Sequence, residues 1–578
     1  MLRRQRYAAH PTPRLAAEYW LTPSGGHVHA AQRESRMLFN SYSFLFAFLP
    51  LLLVCWRLAQ GYGPTGLALV LLAFSTVFYG LWGLPFLIML AVILGMNYAF
   101  ALALAAPDPE PAQSADAPQE AAGTGDEAKA ESTCMCGSRK QSGCRFRLSR
   151  KGLLTVALVL NLLPLLWFKY SAFFAQNIAA LLHVQWHFTS PGLPLGISFY
   201  TFIQIAWLVS VYRGQVTPQG FTRHALFSAC FPYVISGPIV RYEQMGPQFD
   251  TLAPTNAENL ARGFTLFTIG MVKKVLLADS IALYADSVFN AAEKAFPLSG
   301  GEAWLGSLCY TFQLYFDFSG YTDMAIGLGL MLGLMLPENF DSPYKSTGIV
   351  DFWRRWHITL SSWLRDFLYI PLGGNRQGRF MQYRNLFLTM LIGGAWHGAG
   401  WTFIVWGALH GSMLSINHFF RACIKGKALE RILALTPLRL CSILFTFFCI
   451  NLCWVVFRAL TIEGAGRMYK AMFAGPFTRE AAGLSAATDG LTGFAAMVAR
   501  WLPNNYIQGW IPFALLLVSF FVVWALPNTH EILHGRRDGT FPRLAWRPTA
   551  AWATGLAVMA FLTLILVSRK ATFLYFQF

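Results

Sequence analysis

The chain has 578 residues, of which 55% are hydrophobic, 15% aromatic and only 13% charged, and its formal net charge is +17. Soluble domains carry roughly 25% charged residues, so this composition excludes an ordinary soluble protein. Lysine and arginine gather in the cytoplasmic loops of membrane proteins and near anionic lipid headgroups. The positive charge therefore indicates a lipid bilayer as partner, and we expect no binding of nucleic acid.

Residues 1–36 form a basic leader with six arginines and two glutamates. This leader lacks the apolar core of a signal peptide. The apolar pattern begins only at "MLFNSYSFLFAFLP", which starts with Met37. We expect the leader to be disordered or not natively translated.

Residues 37–106 are rich in long apolar runs and predict N-terminal transmembrane helices. A linker follows at 107–151, rich in alanine, proline and glutamate and then basic. Such a composition cannot bury a core, so we expect this linker to be disordered. Its basic end places it in the cytoplasm.

The rest of the chain divides into a core at 152–461, a polar-leaning insertion at 462–508 that predicts a loop, and C-terminal transmembrane helices at 509–578. Counting apolar runs predicts roughly ten to twelve spans, some of them broken. The fold class is therefore an all-α polytopic membrane protein. Three linker cysteines, spaced C-x-C-x7-C, lack a fourth ligand, and we expect no metal site.

Polar side chains inside apolar runs mark candidate sites, because an ionised residue in a membrane helix is costly. The stretch at 310–333 carries Gln313, Asp317 and Asp323. Gln313 and Asp317 are four residues apart and share a helix face. The pair Ser319-Gly320 predicts a break in the helix just after them. A structural ion pair or a helix cap is the alternative interpretation of both carboxylates.

The stretch at 342–379 is too charged to span a membrane and too aromatic for a free loop. We interpret it as interfacial or re-entrant helices on the cytoplasmic side, and it contains His357. Four arginines in it are candidates for binding the phosphates of an acyl donor: Arg354, Arg355, Arg376 and Arg379. They could equally anchor the protein at the positive-inside surface.

The segment "GGAWHGAGWTFIVWGALHG" places His397 and His410 in a stretch apolar enough to enter a membrane. Burying an imidazole without hydrogen-bond partners costs a few kcal/mol. Because its glycines allow another backbone or a ligand to approach closely, we predict that His397 is functional, with Trp396 beside it. His410 fits a packing role equally well.

Seven stretches together resemble the membrane-bound O-acyltransferase (MBOAT) family, in its alginate O-acetyltransferase branch. They are "MLFNSYSFLFAFLP", "LPLGISFYTFIQIAWLVSVYRG", "FPYVISGPIVRYEQ", "YFDFSGYTDMAIGLGLMLG", "NFDSPYKSTGIVDFWRRWHITLSSWLRDFLYIPLGGNR", "GGAWHGAGWTFIVWGALHG" and "FLYFQF". The resemblance covers nearly everything after residue 36. It departs at Ser210, where the family usually carries an aspartate.

The resemblance implies a ring of tilted helices around a central funnel and tunnel, in the cytoplasmic (inner) membrane of a bacterium. It implies that His397 is the essential histidine and His357 the second one. The donor would be a cytoplasmic thioester such as acetyl-CoA, used as a substrate without any tightly bound cofactor. The acceptor would be a hydroxyl of an extracytoplasmic polysaccharide such as alginate, reached directly or through a periplasmic or membrane-anchored partner protein.

The chemistry of an imidazole supports this reading. A neutral histidine within hydrogen-bond reach of a sugar hydroxyl can take its proton during attack on the thioester. His397 could act in this way, or could itself carry the acyl group. Alternative acceptors are peptidoglycan, cellulose, teichoic acid or a lipid. Outside the enzyme class, a secondary transporter or a non-catalytic scaffold for polysaccharide export also fits many spans with buried carboxylates.

Overall fold

The structure is a computed structural model that describes residues 37–105, 148–186, 188, 192–253, 255–433, 435–476, 510–534 and 544–567. Across these ranges every regular element is a helix, which confirms the predicted all-α class. The leader, most of the linker at 107–151 and the stretch "FLYFQF" lie outside the described residues.

The first helices carry the most apolar sequence. They are a π-helical turn (Phe44–Phe48), α1 (Leu49–Ala59), a 3-10 turn (Gln60–Tyr62), α2 (Gly63–Gly80), α3 (Leu84–Ala105), α4 (Arg150–Leu181) and α5 (Ile197–Tyr212). Between α3 and α4, the Asn97 and Asn161 side chains donate hydrogen bonds to each other over 2.9 and 2.7 Å. This reciprocal amide pair satisfies polar groups that face no water.

The middle of the chain builds the buried core. Its elements are α6 (Phe221–Ala229), α7 (Phe231–Val234), α8 (Tyr242–Asp250), α9 (Ala257–Met271), a π-helical segment (Val272–Ala278), α10 (Asp279–Glu293) and α11 (Gly300–Met331). Almost every residue of the 32-residue helix α11 is buried. Helices α9, α10 and the π-helical segment pack around it.

Short helices and then longer ones complete the fold. They are a 3-10 turn (Pro343–Lys345), α12 (Ile349–Arg355), α13 (Ile358–Leu364), a π-helical turn (Arg365–Tyr369), α14 (Arg379–His397), α15 (Trp401–Ile424), α16 (Ala428–Leu433), α17 (Thr436–Arg458), α18 (Ile462–Ala474), α19 (Ile511–Ala525), α20 (Thr529–His534) and α21 (Ala550–Leu566). The helices at 343–369 are too short to span a bilayer, in agreement with the interfacial or re-entrant interpretation.

Within the described ranges, four helical stretches are long and apolar enough to cross a membrane: Phe44–Gly80, Leu84–Ala105, Arg150–Leu181 and Thr436–Arg458. Three shorter apolar helices, α5, α19 and α21, add to them. This is fewer than the ten to twelve spans that the apolar runs predict. Several runs form helices shorter than a bilayer, while others, such as α11, carry polar side chains in a buried core.

The predicted break after Ser319-Gly320 is wrong, because α11 continues without interruption to Met331. Gly320 has a different function in packing. A Cβ at Gly270 would lie 2.5 Å from the Gly320 carbonyl oxygen, and a Cβ at Gly320 would lie 2.7 Å from the Gly270 carbonyl oxygen. The two glycines therefore let α9 and α11 touch backbone to backbone.

The prediction of a loop at 462–508 is also wrong at its start, because Ile462–Ala474 form helix α18. Its first turn is capped by Thr461, whose hydroxyl accepts a hydrogen bond from the Gly464 amide over 2.9 Å. Trp304 of α11 donates to the Met472 carbonyl over 3.0 Å. Residues 477–508 lie outside the described part of the chain.

We predict that Gly270→Ala destabilises the protein, because the added methyl group would force α9 away from α11. Overpacking of this kind costs about 1–3 kcal/mol. Gly95→Ala on α3 is the matched control, since a Cβ there meets nothing within 4 Å. Thermal unfolding in detergent measures both. Equal melting temperatures for the two variants would contradict the close contact of α9 with α11.

Candidate active site

A stack of three aromatic rings positions the end of α14. The Phe202 ring of α5 lies parallel to the Trp363 ring of α13, with centroids 3.8 Å apart, and to the Trp396 ring of α14 at 4.8 Å. The indole N–H of Trp363 donates to the Phe202 carbonyl over 3.0 Å. Trp396 is thereby held in place by packing, and it positions His397, which follows it in the sequence.

His397 is the last residue of α14 and is 7% exposed. Its ring meets the rings of Trp396, Trp406 and Phe457 edge to face, at centroid distances of 4.9, 5.1 and 5.3 Å. Trp406 comes from α15 and Phe457 from α17. Three helices thus hold the imidazole in an aromatic environment with little access to water.

The glycines of this segment bring α14 and α15 together. A Cβ at Gly407 would lie 2.5 Å from the Met390 carbonyl oxygen, so only glycine allows this distance between the helices. The sequence predicts that glycines in this segment allow close approach of a backbone or of a ligand. Here they allow close approach of a backbone. The close contact fixes Trp406 against His397.

Two side chains of α4 bind the carboxyl end of α14. The Lys169 ammonium donates to the carbonyl oxygens of Trp396 and His397 over 2.5 and 2.8 Å. The Tyr170 hydroxyl donates to the Ala395 carbonyl. The sequence analysis missed Lys169, although a lysine directly after the apolar run 153–167 was a signal that could have identified it.

His357 is fully buried between α12 and α13, and its φ of 42° is unusual for a residue with a side chain. Its Nδ1 lies 3.0 Å from Oδ1 of Asn339. The same oxygen accepts hydrogen bonds from the Thr359 amide at 3.3 Å and the Thr359 hydroxyl at 2.9 Å. That hydroxyl accepts in turn from the Ile239 amide over 3.0 Å.

This chain of hydrogen bonds determines the protonation of the His357 ring. The Thr359 amide can only donate, so the atom of Asn339 that faces it must be the oxygen. An amide oxygen can only accept, and Nδ1 of His357 must therefore carry a proton. In the neutral ring, Nε2 is then the nitrogen that can accept a hydrogen bond.

The two predicted histidines lie near each other in the fold. His357, Lys169 and His410 are all within electrostatic range of the His397 ring. His357 also meets the Phe318 ring of α11 edge to face, at 4.7 Å. The elements from which the two histidines come are forty residues apart in the sequence, and packing against α5, α11 and α15 brings them together.

His410 is fully buried on α15, and its Nδ1 accepts a hydrogen bond from the Trp353 indole over 3.2 Å. Its ring lies 4.6 Å from that of Trp406. These contacts pack the ring and satisfy its Nδ1, whereas Nε2 has no hydrogen-bond partner among the described residues. Of the two interpretations left open for His410, they favour the packing role.

The carboxylates predicted as supporting residues lie in ion pairs on α11. Asp317 binds Lys274 at 2.5 Å, and Lys274 also binds Asp279 at 2.8 Å. Asp323 binds Lys273 at 2.7 Å and accepts a hydrogen bond from Thr529 over 2.8 Å. These contacts connect α11 to the π-helical segment and to α20. They agree with the alternative interpretation, in which the two carboxylates form structural ion pairs.

Gln313 lies one turn before Asp317 on α11 and is 4% exposed. Its Oε1 finds no hydrogen-bond donor among the residues that the structure describes. Gln313 thus differs from the two carboxylates of the same helix, which are engaged by lysines.

The four candidate arginines for the donor are not equivalent. Arg355 binds Asp351 at 3.0 Å and Asp341 at 3.4 Å. The other three, Arg354, Arg376 and Arg379, are exposed. These three present an exposed guanidinium group, whereas that of Arg355 is partly exposed and engaged by two aspartates.

Comparison with known proteins agrees with the geometry. Residues 151–457, more than half of the chain, match the MBOAT, membrane-bound O-acyltransferase family. The chain belongs to this family. The match covers α4 to α17 and includes both histidines, the Asn339 hydrogen bonds and Lys169.

Several relatives align over most of their length. A probable alginate O-acetylase AlgI of Azotobacter vinelandii is 42% identical over 449 residues, which cover 76% of this chain and 78% of the relative. A peptidoglycan O-acetyltransferase of Helicobacter pylori is 35% identical over 577 residues, covering 94% of this chain and 98% of the relative. A teichoic acid D-alanyltransferase of Bacillus subtilis is 30% identical over 280 residues, covering 46% of this chain and 67% of the relative.

Family membership confirms the prediction of a multi-pass membrane O-acyltransferase of the alginate O-acetyltransferase type. The transporter and scaffold alternatives are thereby replaced by an enzyme. The central funnel and tunnel, and the role of each candidate residue, stay predictions.

We predict that Asn339→Leu lowers acyl transfer at least about tenfold, because the variant no longer holds the proton on Nδ1 of His357. A wrong histidine tautomer can cost far more than this in an enzyme that relies on the ring. Asn339→Asp should retain more activity, since a carboxylate accepts from Nδ1 as the amide oxygen does.

The measurement is the rate of acyl transfer by purified protein, with the melting temperature as a control for folding. Equal loss in Asn339→Leu and Asn339→Asp at equal stability would show that Asn339 does not act through the tautomer of His357.

Proposed function

We propose that this protein transfers an acetyl group from cytoplasmic acetyl-CoA to a hydroxyl group on the outer side of a bacterial cytoplasmic membrane. The hydroxyl belongs to an alginate-like exopolysaccharide, or to a periplasmic partner protein that completes the transfer to the polymer. The acetylase names of the relatives support an acetyl group and a polysaccharide.

The observation that carries this proposal is the placement of His397. Its imidazole stands at the end of α14, enclosed by aromatic rings and almost excluded from water. A site without water protects a thioester from hydrolysis and strengthens electrostatic interactions with the reacting atoms. A neutral imidazole in such a site is suited to general-base catalysis.

In the proposed reaction, His397 takes the proton of the acceptor hydroxyl as its oxygen attacks the thioester carbonyl carbon. A carbon–oxygen bond forms, and the carbon–sulfur bond then breaks as the carbonyl re-forms. The thiolate of coenzyme A leaves and takes the proton back from the imidazolium. The ring returns to its neutral state, and the products are an acetyl ester and the free thiol.

His357 assists in this proposal by orienting a substrate. With its proton held on Nδ1 by Asn339, its Nε2 can accept a hydrogen bond from the acceptor hydroxyl. The ring cannot turn to exchange its nitrogens without breaking its hydrogen bond with Asn339. A fixed acceptor of this kind reduces the orientational freedom that the hydroxyl must lose before it reacts.

The donor's phosphates would bind at the exposed arginines. Coenzyme A carries several negative charges, and guanidinium groups bind phosphate through paired hydrogen bonds. Arg354, Arg376 and Arg379 are exposed and available for this interaction, whereas Arg355 is engaged by two aspartates.

Peptidoglycan is the second candidate acceptor. The peptidoglycan O-acetyltransferase of Helicobacter pylori aligns with 94% of this chain, whereas the alginate O-acetylase of Azotobacter vinelandii aligns with 76%. Deleting the gene and measuring ester-linked acetate on isolated exopolysaccharide and on isolated peptidoglycan distinguishes the two. The polymer that loses its acetate is the acceptor.

We predict that His397→Ala lowers acetyl transfer by at least about 100-fold, because general-base help contributes roughly 10²–10⁴-fold. His357→Ala should cost less if the residue only orients a substrate, and His410→Ala should mainly lower stability. The measurement is transfer of labelled acetate from acetyl-CoA to the cognate polymer, or to short oligosaccharides derived from it.

His183→Asn serves as the matched control, since His183 is an exposed histidine just beyond the end of α4. Membrane abundance and melting temperature are recorded for every variant. Near-normal turnover in a well-folded His397→Ala protein would refute the proposed mechanism, and failure of the wild-type protein to use acetyl-CoA would refute the donor.

A further inference from the structure

A lysine in the middle of a membrane helix is costly, and such residues usually have a specific role. Lys169 lies in α4, a 32-residue helix that is apolar enough to cross a bilayer. Inserting a lysine at the centre of such a helix costs roughly 2.5–3.5 kcal/mol. Among the described residues, Lys169 forms no ion pair with a carboxylate, and its hydrogen bonds go to backbone carbonyl oxygens.

The contacts of Lys169 are with the end of the helix that carries His397. Its ammonium donates to the Trp396 and His397 carbonyls, and it lies 5.7 Å from the centroid of the Trp396 ring. The neighbouring Tyr170 hydroxyl donates to the Ala395 carbonyl. The last four carbonyls of an α-helix lack intrahelical donors, and α4 supplies donors to three of those in α14.

Lys169 and Tyr170 both donate to carbonyls at the end of α14, but only the lysine can carry a positive charge. The carboxyl end of a helix carries roughly half a negative charge, and this favours a protonated imidazole at that position. A protonated His397 could not accept the proton of the acceptor hydroxyl. A positive charge on the Lys169 ammonium, bound to the same carbonyls, opposes the partial negative charge of the helix end.

Burial of the ring is the first reason that the His397 imidazole stays neutral, and nearby groups add to it. Among the described residues, these groups are His357 before α13, Lys169 on α4 and His410 on α15. His410 accepts a hydrogen bond from Trp353, and His357 donates one to Asn339, so each has a defined neutral form. Among these three, Lys169 is the group that binds the end of α14 directly.

We propose that Lys169 is a positioning residue with an electrostatic function: it holds the end of α14 and keeps the His397 imidazole in its neutral, proton-accepting form. This inference rests on the proposed function of His397 as a base. It assigns to α4 a part in the reaction that neither the motif around His397 nor the family match specifies.

The test separates the hydrogen bonds of Lys169 from its charge. Lys169→Gln keeps a donor near the two carbonyls and removes the charge, whereas Lys169→Arg keeps the charge. Tyr170→Phe is the matched control, because it removes a neutral donor from the adjacent carbonyl of the same helix end. The rate of acetyl transfer from acetyl-CoA is measured as a function of pH for each full-length variant in detergent.

We expect the acid limb of the pH–rate profile of Lys169→Gln to move to higher pH by about one unit, because a nearby positive charge that opposed protonation is lost. Lys169→Arg and Tyr170→Phe should keep the wild-type acid limb, even if their maximal rates fall. A rate reduced by the same factor at every pH in Lys169→Gln would overturn the inference and leave Lys169 with a structural role.

Folding and the proposed function are controlled separately. Lys169→Met provides a second uncharged variant if Lys169→Gln is unstable, since methionine is well tolerated in membrane helices. If His397→Ala is inactive and both uncharged variants keep the wild-type acid limb, only the inference about Lys169 fails. If His397→Ala is active, the proposed function itself fails, whatever the Lys169 variants show.

Discussion

Polar groups inside a membrane protein must find their partners within the protein, because the hydrocarbon core offers none. Most of this structure follows from that constraint. The Asn97–Asn161 pair joins α3 to α4, and lysines of the π-helical segment neutralise Asp317 and Asp323 on α11. With its charges paired, α11 can be almost wholly buried, and the remaining helices are packed around it.

The same constraint separates the roles of His357, His397 and His410. The Nδ1 of His410 accepts from an indole N–H, and His357 is fixed by the amide oxygen of Asn339. His397 instead has aromatic rings around it, and its backbone is bound by Lys169. The ring contacts and the hydrogen bond from Lys169 to its backbone distinguish His397 from its neighbours.

The sequence was sufficient to predict an all-α membrane protein and to find His357 and His397, because apolar runs and short motifs are local signals. It was not sufficient where contacts join distant segments. The pairing of Asp323 with Lys273, and of Lys169 with the end of α14, depends on tertiary packing. The prediction that Gly320 breaks the helix is wrong, because a short stretch of sequence does not show its contact with Gly270 of α9.

The central claim is that His397 acts as a base in direct transfer within a complex of donor and acceptor. Initial rates measured over a matrix of acetyl-CoA and acceptor concentrations, followed by acid quenching and detection of labelled acetate on the protein, test it most directly. The account predicts intersecting double-reciprocal lines and no acetate on His397. Parallel lines, the kinetic pattern of a covalent intermediate, together with acetate on His397 would contradict it.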